Sequence, residues 1–270
     1  MCNGTQPRME LKHYNGFPMT HNALKTYPLP EGEQQALLKT SLASEGLILV
    51  VGIVLAIALS AAEGGISHAL PFGWLSDLAS AMSLHWAMLV LPPAMIVLLE
   101  ALDALGTRFS KSYRQSVMRT RQGVTGELPR MAMRHIVPCM IAAGICEELL
   151  FRYGLLGLAV LVLDKLLPYP AAAALAVALV SLAFWAAHVQ YRDAWTSGYV
   201  IVMACLLGTV YLATGSLLSM MVAHALYNIA DIAIERRKMV REPDYFHGSI
   251  PVDIVTRMTN PTTATAAEEE

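Results

Sequence analysis

Three short pieces of the chain place ionisable groups where apolar ones are expected: Glu147-Glu148-Leu149-Leu150-Phe151-Arg152, Phe184-Trp185-Ala186-Ala187-His188 and His224-Ala225-Leu226-Tyr227-Asn228. A charge near the middle of a bilayer costs roughly 2.5–3.5 kcal/mol on insertion scales, so such groups need a reason. In a helix, residues four apart share a face. Glu148 and Arg152 have that spacing, with the acid on the N-terminal side, the favoured order for an ion pair. Glu147 is turned about 100° away and lacks that partner, which suits a general base that takes a proton from water. The plainer reading of the same residues is a helix end at the membrane interface.

His188 closes an apolar run and is followed by Gln190, Tyr191, Arg192 and Asp193, so it reads equally as an interfacial histidine. Phe184, four residues earlier, shares its face and could pack over the ring. His224 lies well inside an apolar run, with Asn228 one turn further on. Two donors on one face could hold a developing oxyanion in a dry site; the alternative is a hydrogen bond that ties two helices together. Asp231, three residues further on, reads as a partner of that pair or as part of the exit. Jointly the three pieces fit acyl chemistry without a nucleophilic serine: a glutamate activates water, one histidine helps hold it, and a His/Asn pair stabilises the tetrahedral intermediate. Ser181, Ser216 and Ser219 do not stand in a Gly-x-Ser-x-Gly context. Cys146, beside Glu147, reads as a small buried residue.

The elements that must position these groups are membrane helices. The 270 residues are 55% hydrophobic and 15% charged, with a mean hydropathy of +0.48, too apolar for an ordinary soluble domain. A net charge of −2 argues against a nucleic-acid partner. Four cysteines without a CxxC pair indicate neither a disulfide framework nor a zinc knuckle. At roughly 20 apolar residues per crossing, candidate spans are Gly46–Ala62, His85–Leu105, Ile136–Leu150, Tyr153–Leu167, Ala171–His188, Gly198–Leu212 and Leu217–Ile234. The expected fold is therefore all-α, a polytopic bundle of six to eight transmembrane helices. It comprises a polar cytoplasmic tail (1–43), a membrane domain (44–235, core 136–231) and a polar, partly disordered tail (236–270).

Lysine and arginine give the orientation. The N-terminal tail and the 106–135 connection are basic, whereas Glu63–Leu84 carries neither residue, which puts the N-terminus and the basic connection in the cytoplasm. Part of that connection is expected to lie along the membrane surface as an interfacial helix. Parity raises a conflict. Seven crossings would leave Arg236, Arg237, Lys238 and Arg241 outside; six would place His188 at the opposite face from Glu147.

In their order and on successive hydrophobic segments, Glu-Glu-x-x-x-Arg, Phe-x-x-x-His and His-x-x-x-Asn resemble the CAAX protease and bacteriocin-processing (CPBP) family of intramembrane proteases over about Ile136–Asp231. The resemblance implies an α-helical membrane endopeptidase with its essential glutamate at Glu147, histidines at His188 and His224, an asparagine at Asn228, and Glu148 and Arg152 in support. Family members commonly have glycine directly after the motif arginine; here Tyr153 precedes Gly154. A glutamate and two histidines can also be read as zinc ligands. The absence of His-Glu-x-x-His and the commitment of Glu148 to Arg152 favour a metal-free mechanism, so no cofactor is expected, with zinc as the alternative.

The function that follows is hydrolysis of a peptide bond in a membrane-anchored protein substrate: a bacteriocin precursor, a C-terminal sorting tail or, least in keeping with this chain, a prenylated C-terminus. The short, Ala/Leu-rich sequence reads as bacterial, hence a protein of the inner membrane. Two other classes stand beside this one. A non-catalytic immunity or partner-binding protein would need the bundle but not all the reactive side chains. A proton-relaying transporter would be expected to show paired repeats or broken helices, and none is visible.

Overall fold

The computed structural model describes residues 28–122, 124–188 and 194–241. Among them the regular structure is helical throughout: α1 (Glu31–Gly64), α2 (Ile66–His68), α3 (Trp74–Ala81), α4 (Ala87–Phe109), α5 (Lys111–Gln122), α6 (Met133–Glu148), α7 (Gly157–Leu163), α8 (Tyr169–Ala187), α9 (Ala194–Thr214) and α10 (Leu217–Arg241). The expected residues Gln190–Asp193 and both distal tails lie outside the described residues.

Five helices, α1, α4, α8, α9 and α10, are long and apolar enough to cross a membrane. A sixth rod explains the parity conflict. Between α6 and α7 the chain continues as a π-helical stretch, Leu149–Leu156, so Met133–Leu163 is one uninterrupted helical run. The spans expected at Ile136–Leu150 and Tyr153–Leu167 are thus a single element. The physical reason is that Arg152, which read as a boundary, is neutralised internally by Glu148, and the first real breaker is Pro168-Tyr169-Pro170. Pro168 caps α8 and Pro170 sits in its first turn, where its missing N–H costs nothing.

α1 also begins earlier than its apolar span, at Glu31 rather than Gly46, so residue 43 falls inside a helix. Its polar foot is held by contacts a sequence cannot display. Gln34 Nε2 donates to the Leu29 carbonyl at 2.6 Å and its Oε1 accepts from Ala132 N at 2.8 Å, while Glu31 pairs with Arg134 at 2.7 Å. At the far end, Ser60 donates to Asp77 at 2.5 Å and His68 meets the same carboxylate at 3.1 Å, folding the Ile66–Ala81 strap onto α1. The hydroxyl of Ser60 and then His68 hold the Asp77 carboxyl below its ordinary value. The turn at Thr214-Gly215-Ser216 forms as expected: Gly215 takes φ +65°, open to glycine at little cost, and Ser216 Oγ accepts the Ser219 N–H at 3.2 Å as an N-cap.

The outward faces are apolar: Leu47, Val50 and Val54 on α1, Leu89 and Val97 on α4, and Leu179 and Leu182 on α8 are exposed, a distribution that suits lipid. Inside, the Met133–Leu163 rod is held between two neighbours by small residues. Gly154 and Gly157 stand where an added Cβ would come within 2.7 Å of Leu55 and Leu59 of α1, and Gly144 faces Met221 and Ala225 of α10. Such contacts let helix backbones approach closely, the packing mode favoured in membranes.

Candidate active site

Helical rise sets the level of the site. α1 and α6 share a foot through Glu31 and Arg134, and Arg236 of α10 donates to the carbonyls of Pro129 and Met131 beside it. Counting up from there at 1.5 Å per residue, Glu45, Glu147 and His224 all arrive at roughly 20 Å. α8 descends from the opposite end and delivers His188, the residue that caps its C-terminus. Glu147 therefore lies mid-rod, and the difficulty of matching its depth to His188 disappears.

The two adjacent acids differ in their contacts. Glu148 is fully buried and Arg152 is 2% exposed; they pair at 3.0 Å. The same Glu148 oxygen, Oε1, accepts from His224 Nδ1 at 2.7 Å. Arg152 reaches the Ala204 carbonyl at 3.5 Å, and its guanidinium lies 4.9 Å from the centre of the Phe184 ring, a cation–π distance. Glu147 is buried as well, but its Oε2 has no hydrogen-bond partner among the described residues.

Both histidines address that oxygen. His188 Nδ1 is 2.8 Å from the Phe184 carbonyl, an acceptor, so Nδ1 carries the proton. His224 Nδ1 is likewise engaged by Glu148. Each ring is thus fixed through one nitrogen, and each presents Nε2 to Glu147 Oε2 at 3.9 Å. Two separate helices holding two imidazoles at equal distance from one unpaired carboxylate oxygen is a convergent geometry, too long for direct hydrogen bonds and suited to a shared small molecule such as water.

Phe184 does more than fill the core. It stacks on His188 with centroids 4.3 Å apart, meets Phe151 edge-on at 4.9 Å and lies 6.4 Å from His224. The structure thereby brings together Glu147, Glu148, Arg152, His188 and His224. Asn228 sits one turn from His224 on α10, partly exposed, and is not among the groups joined by ion pairs. Tyr153, the departure from the family pattern, is buried against Ala56, Leu59, Leu217 and Met221, while the following glycine still meets α1. The Ser216 and Ser219 hydroxyls bond to one another and to the carbonyls of Ser83 and His85, so both are spent on structure. Among the described residues no group of three or more His, Cys, Asp or Glu side chains is arranged to hold a metal ion.

One residue escaped the sequence reading. Glu45 of α1 is 9% exposed, and its Oε2 also has no hydrogen-bond partner among the described residues. Its only signal was its position directly before an apolar run, where it passed for a boundary charge.

Fold and site define an all-α integral membrane protein with a buried glutamate–histidine–arginine cluster. Residues 129–230 match the family model described as Rce1-like, type II CAAX prenyl endopeptidase. That segment contains all three motifs, and over it the chain is similar to this family of membrane proteases. No curated protein and no solved structure matches the chain.

Proposed function

We propose that the chain is an intramembrane endopeptidase that hydrolyses a peptide bond in a membrane-tethered protein, with Glu147 as general base. The observation that carries this reading is the convergence of His188 and His224 on Glu147 Oε2, each at 3.9 Å. A water held between these three groups gives a proton to Glu147, and its oxygen attacks the scissile carbonyl. His188, neutral with its proton on Nδ1, accepts from the water through Nε2. His224, in its charged form, donates from Nε2 to the developing oxyanion, and Asn228 adds a second donor. Glu148 and Arg152 hold His224 in place. No metal takes part in these steps.

Six rods put Arg236 and Lys238 on the same side as Lys39, Arg130 and Arg134, which satisfies the positive-inside tendency with the N-terminus in the cytoplasm of a bacterial inner membrane. The site then lies in the half of the bundle nearer that basic foot. A substrate held by its own transmembrane segment, such as a sorting tail or a precursor peptide, reaches this depth by unwinding a helix end. The presence of every reactive group speaks against a purely partner-binding role.

The test is a comparison of membrane-protein termini by mass spectrometry in host cells carrying the parent chain, Glu147→Ala or His224→Ala. One protein accumulating uncut in both variants, with insertion unchanged, supports the reading and identifies the substrate. An unchanged profile removes the enzymatic assignment and leaves partner binding.

A further inference from the structure

The end of the bundle away from the basic foot holds a cavity of about 450 Å³, within the size range of small-ligand pockets. It lies between the last turn of α1, the Ile66–Ala81 strap, the end of the Met133–Leu163 rod and the end of α9. Leu59, Leu161, Tyr153 and Tyr211 give it an apolar and aromatic lining, and Glu63, Asp77 and Asp164 bring three carboxylates to it. Leu59 and Tyr153 are buried, whereas Glu63 and Asp164 are exposed and Asp77 is partly so. The acids thus form a rim over an apolar floor.

The backbone adds to that negative charge. Glu63 stands in the last turn of α1, Asp164 caps α7, and Gly215, which also lines the cavity, directly follows α9. Three helix C-termini therefore meet here, each with carbonyls that carry partial negative charge and are stabilised by a nearby cation. None of the three helices has a basic residue in its last turn, and no lysine or arginine lines the cavity. Asp77 is engaged by Ser60 and His68. Glu63 and Asp164 have no ion-pair partner among the described residues.

Tyr153 supplies an independent sign of a ligand. It is 5% exposed, lines the cavity, and its hydroxyl makes no hydrogen bond among the described residues. A buried phenol ordinarily finds a partner. The carboxylates do not converge on one point: among the described residues no group of three or more His, Cys, Asp or Glu side chains is arranged to hold a metal ion. Acids spread around an apolar floor suit a cation that carries an apolar body.

We infer that this cavity binds a small organic cation, an ammonium or guanidinium on an apolar body with a polar atom at its far end. The charged group lies among Glu63, Asp77 and Asp164, the body packs on Leu59, Leu161 and Tyr211, and the polar atom meets the Tyr153 hydroxyl. The site is separate from the glutamate–histidine cluster and rests on no part of the protease reading.

Calorimetric titration of the full chain in uncharged maltoside micelles tests this with tyramine as the probe. Beside it stand tyrosol, in which a hydroxyl replaces the ammonium, and the para-hydroxyphenylacetate anion. Tyramine is expected to bind about fivefold more tightly than tyrosol, the worth of two partly exposed charge contacts, with the advantage shrinking at high salt and the anion weakest. Glu63→Gln combined with Asp164→Asn should abolish that preference. Tyr153→Phe keeps the ring and should weaken tyramine about threefold while leaving phenethylammonium, which lacks the phenol, unchanged. Where the double variant fails to fold, the salt dependence and Tyr153→Phe decide. No binding of tyramine, equal binding of tyramine and tyrosol, or a preference that survives the double substitution overturns the inference. Displacement of tyramine by calcium alone would make this a metal site and overturn it as well.

Discussion

Two clusters of charge share helix α10, about 21 Å apart along its axis, and they are built on opposite terms. Around Lys238 the charges satisfy one another: its ammonium reaches Asp103 at 3.0 Å, Glu235 at 3.2 Å and Glu100 at 3.4 Å. Tyr113 donates to Asp103 at 2.9 Å, and its phenol is raised by burial and then by that carboxylate. Arg121 adds a contact to Glu235 at 3.4 Å. Around His224, Glu148 pairs with Arg152 and with His224, yet the buried Oε2 atoms of Glu45, Glu147 and Glu148 have no hydrogen-bond partner among the described residues. The first cluster fastens α4, α5 and α10 near the basic foot. The second spends stability to keep a carboxylate available. Chemistry is to be sought where the pairing is deliberately incomplete.

Arg152→Leu should break this contrast most severely. It leaves Glu148 buried without its cation, a loss of about 3–5 kcal/mol, read as a lowered unfolding midpoint in micelles. Removing Glu148 as well should restore part of it. Gly144→Ala comes next. The new methyl would stand 2.9 Å from the Met221 carbonyl oxygen and 3.0 Å from Ala225, so α6 and α10 must separate at about 1–3 kcal/mol. Processing should fall with stability because Glu147 and His224 move apart.

The motifs were legible because helical spacing is legible. The i,i+4 relation of Glu148 and Arg152, and the placement of His224 inside an apolar run, needed only the 3.6-residue period. What could not be read were facts of packing. Arg152 looked like a helix end, since nothing in one strand of sequence says that a buried acid and a histidine surround it; the Met133–Leu163 rod was therefore divided in two. Glu45 stood at the edge of an apolar run and passed for an interfacial charge, because the seam of Gly52, Gly154 and Gly157 that turns it inward exists only between two helices. Phe184 read as core, and its stacking on His188 under Arg152 depends on three elements meeting.

Lys238→Met should have a much smaller effect, about 1 kcal/mol or less, with processing retained, which sharpens the comparison by showing a satisfied cluster to be structural. The smallest effect is expected at Asp77. Its carboxyl is held below the ordinary value, so its contribution is present above that ordinary value and is lost as pH falls toward the lowered one. The parent should lose a little thermal stability across that acidic window, and Asp77→Asn should show no such step.

The most direct measurement of the central claim sets Glu147→Gln beside Lys238→Met in the same host cells, following uncut membrane protein by terminal-peptide mass spectrometry at matched insertion levels. An uncut protein that accumulates with Glu147→Gln and not with Lys238→Met is the predicted result. Normal processing by Glu147→Gln, or equal loss in both variants, would contradict it.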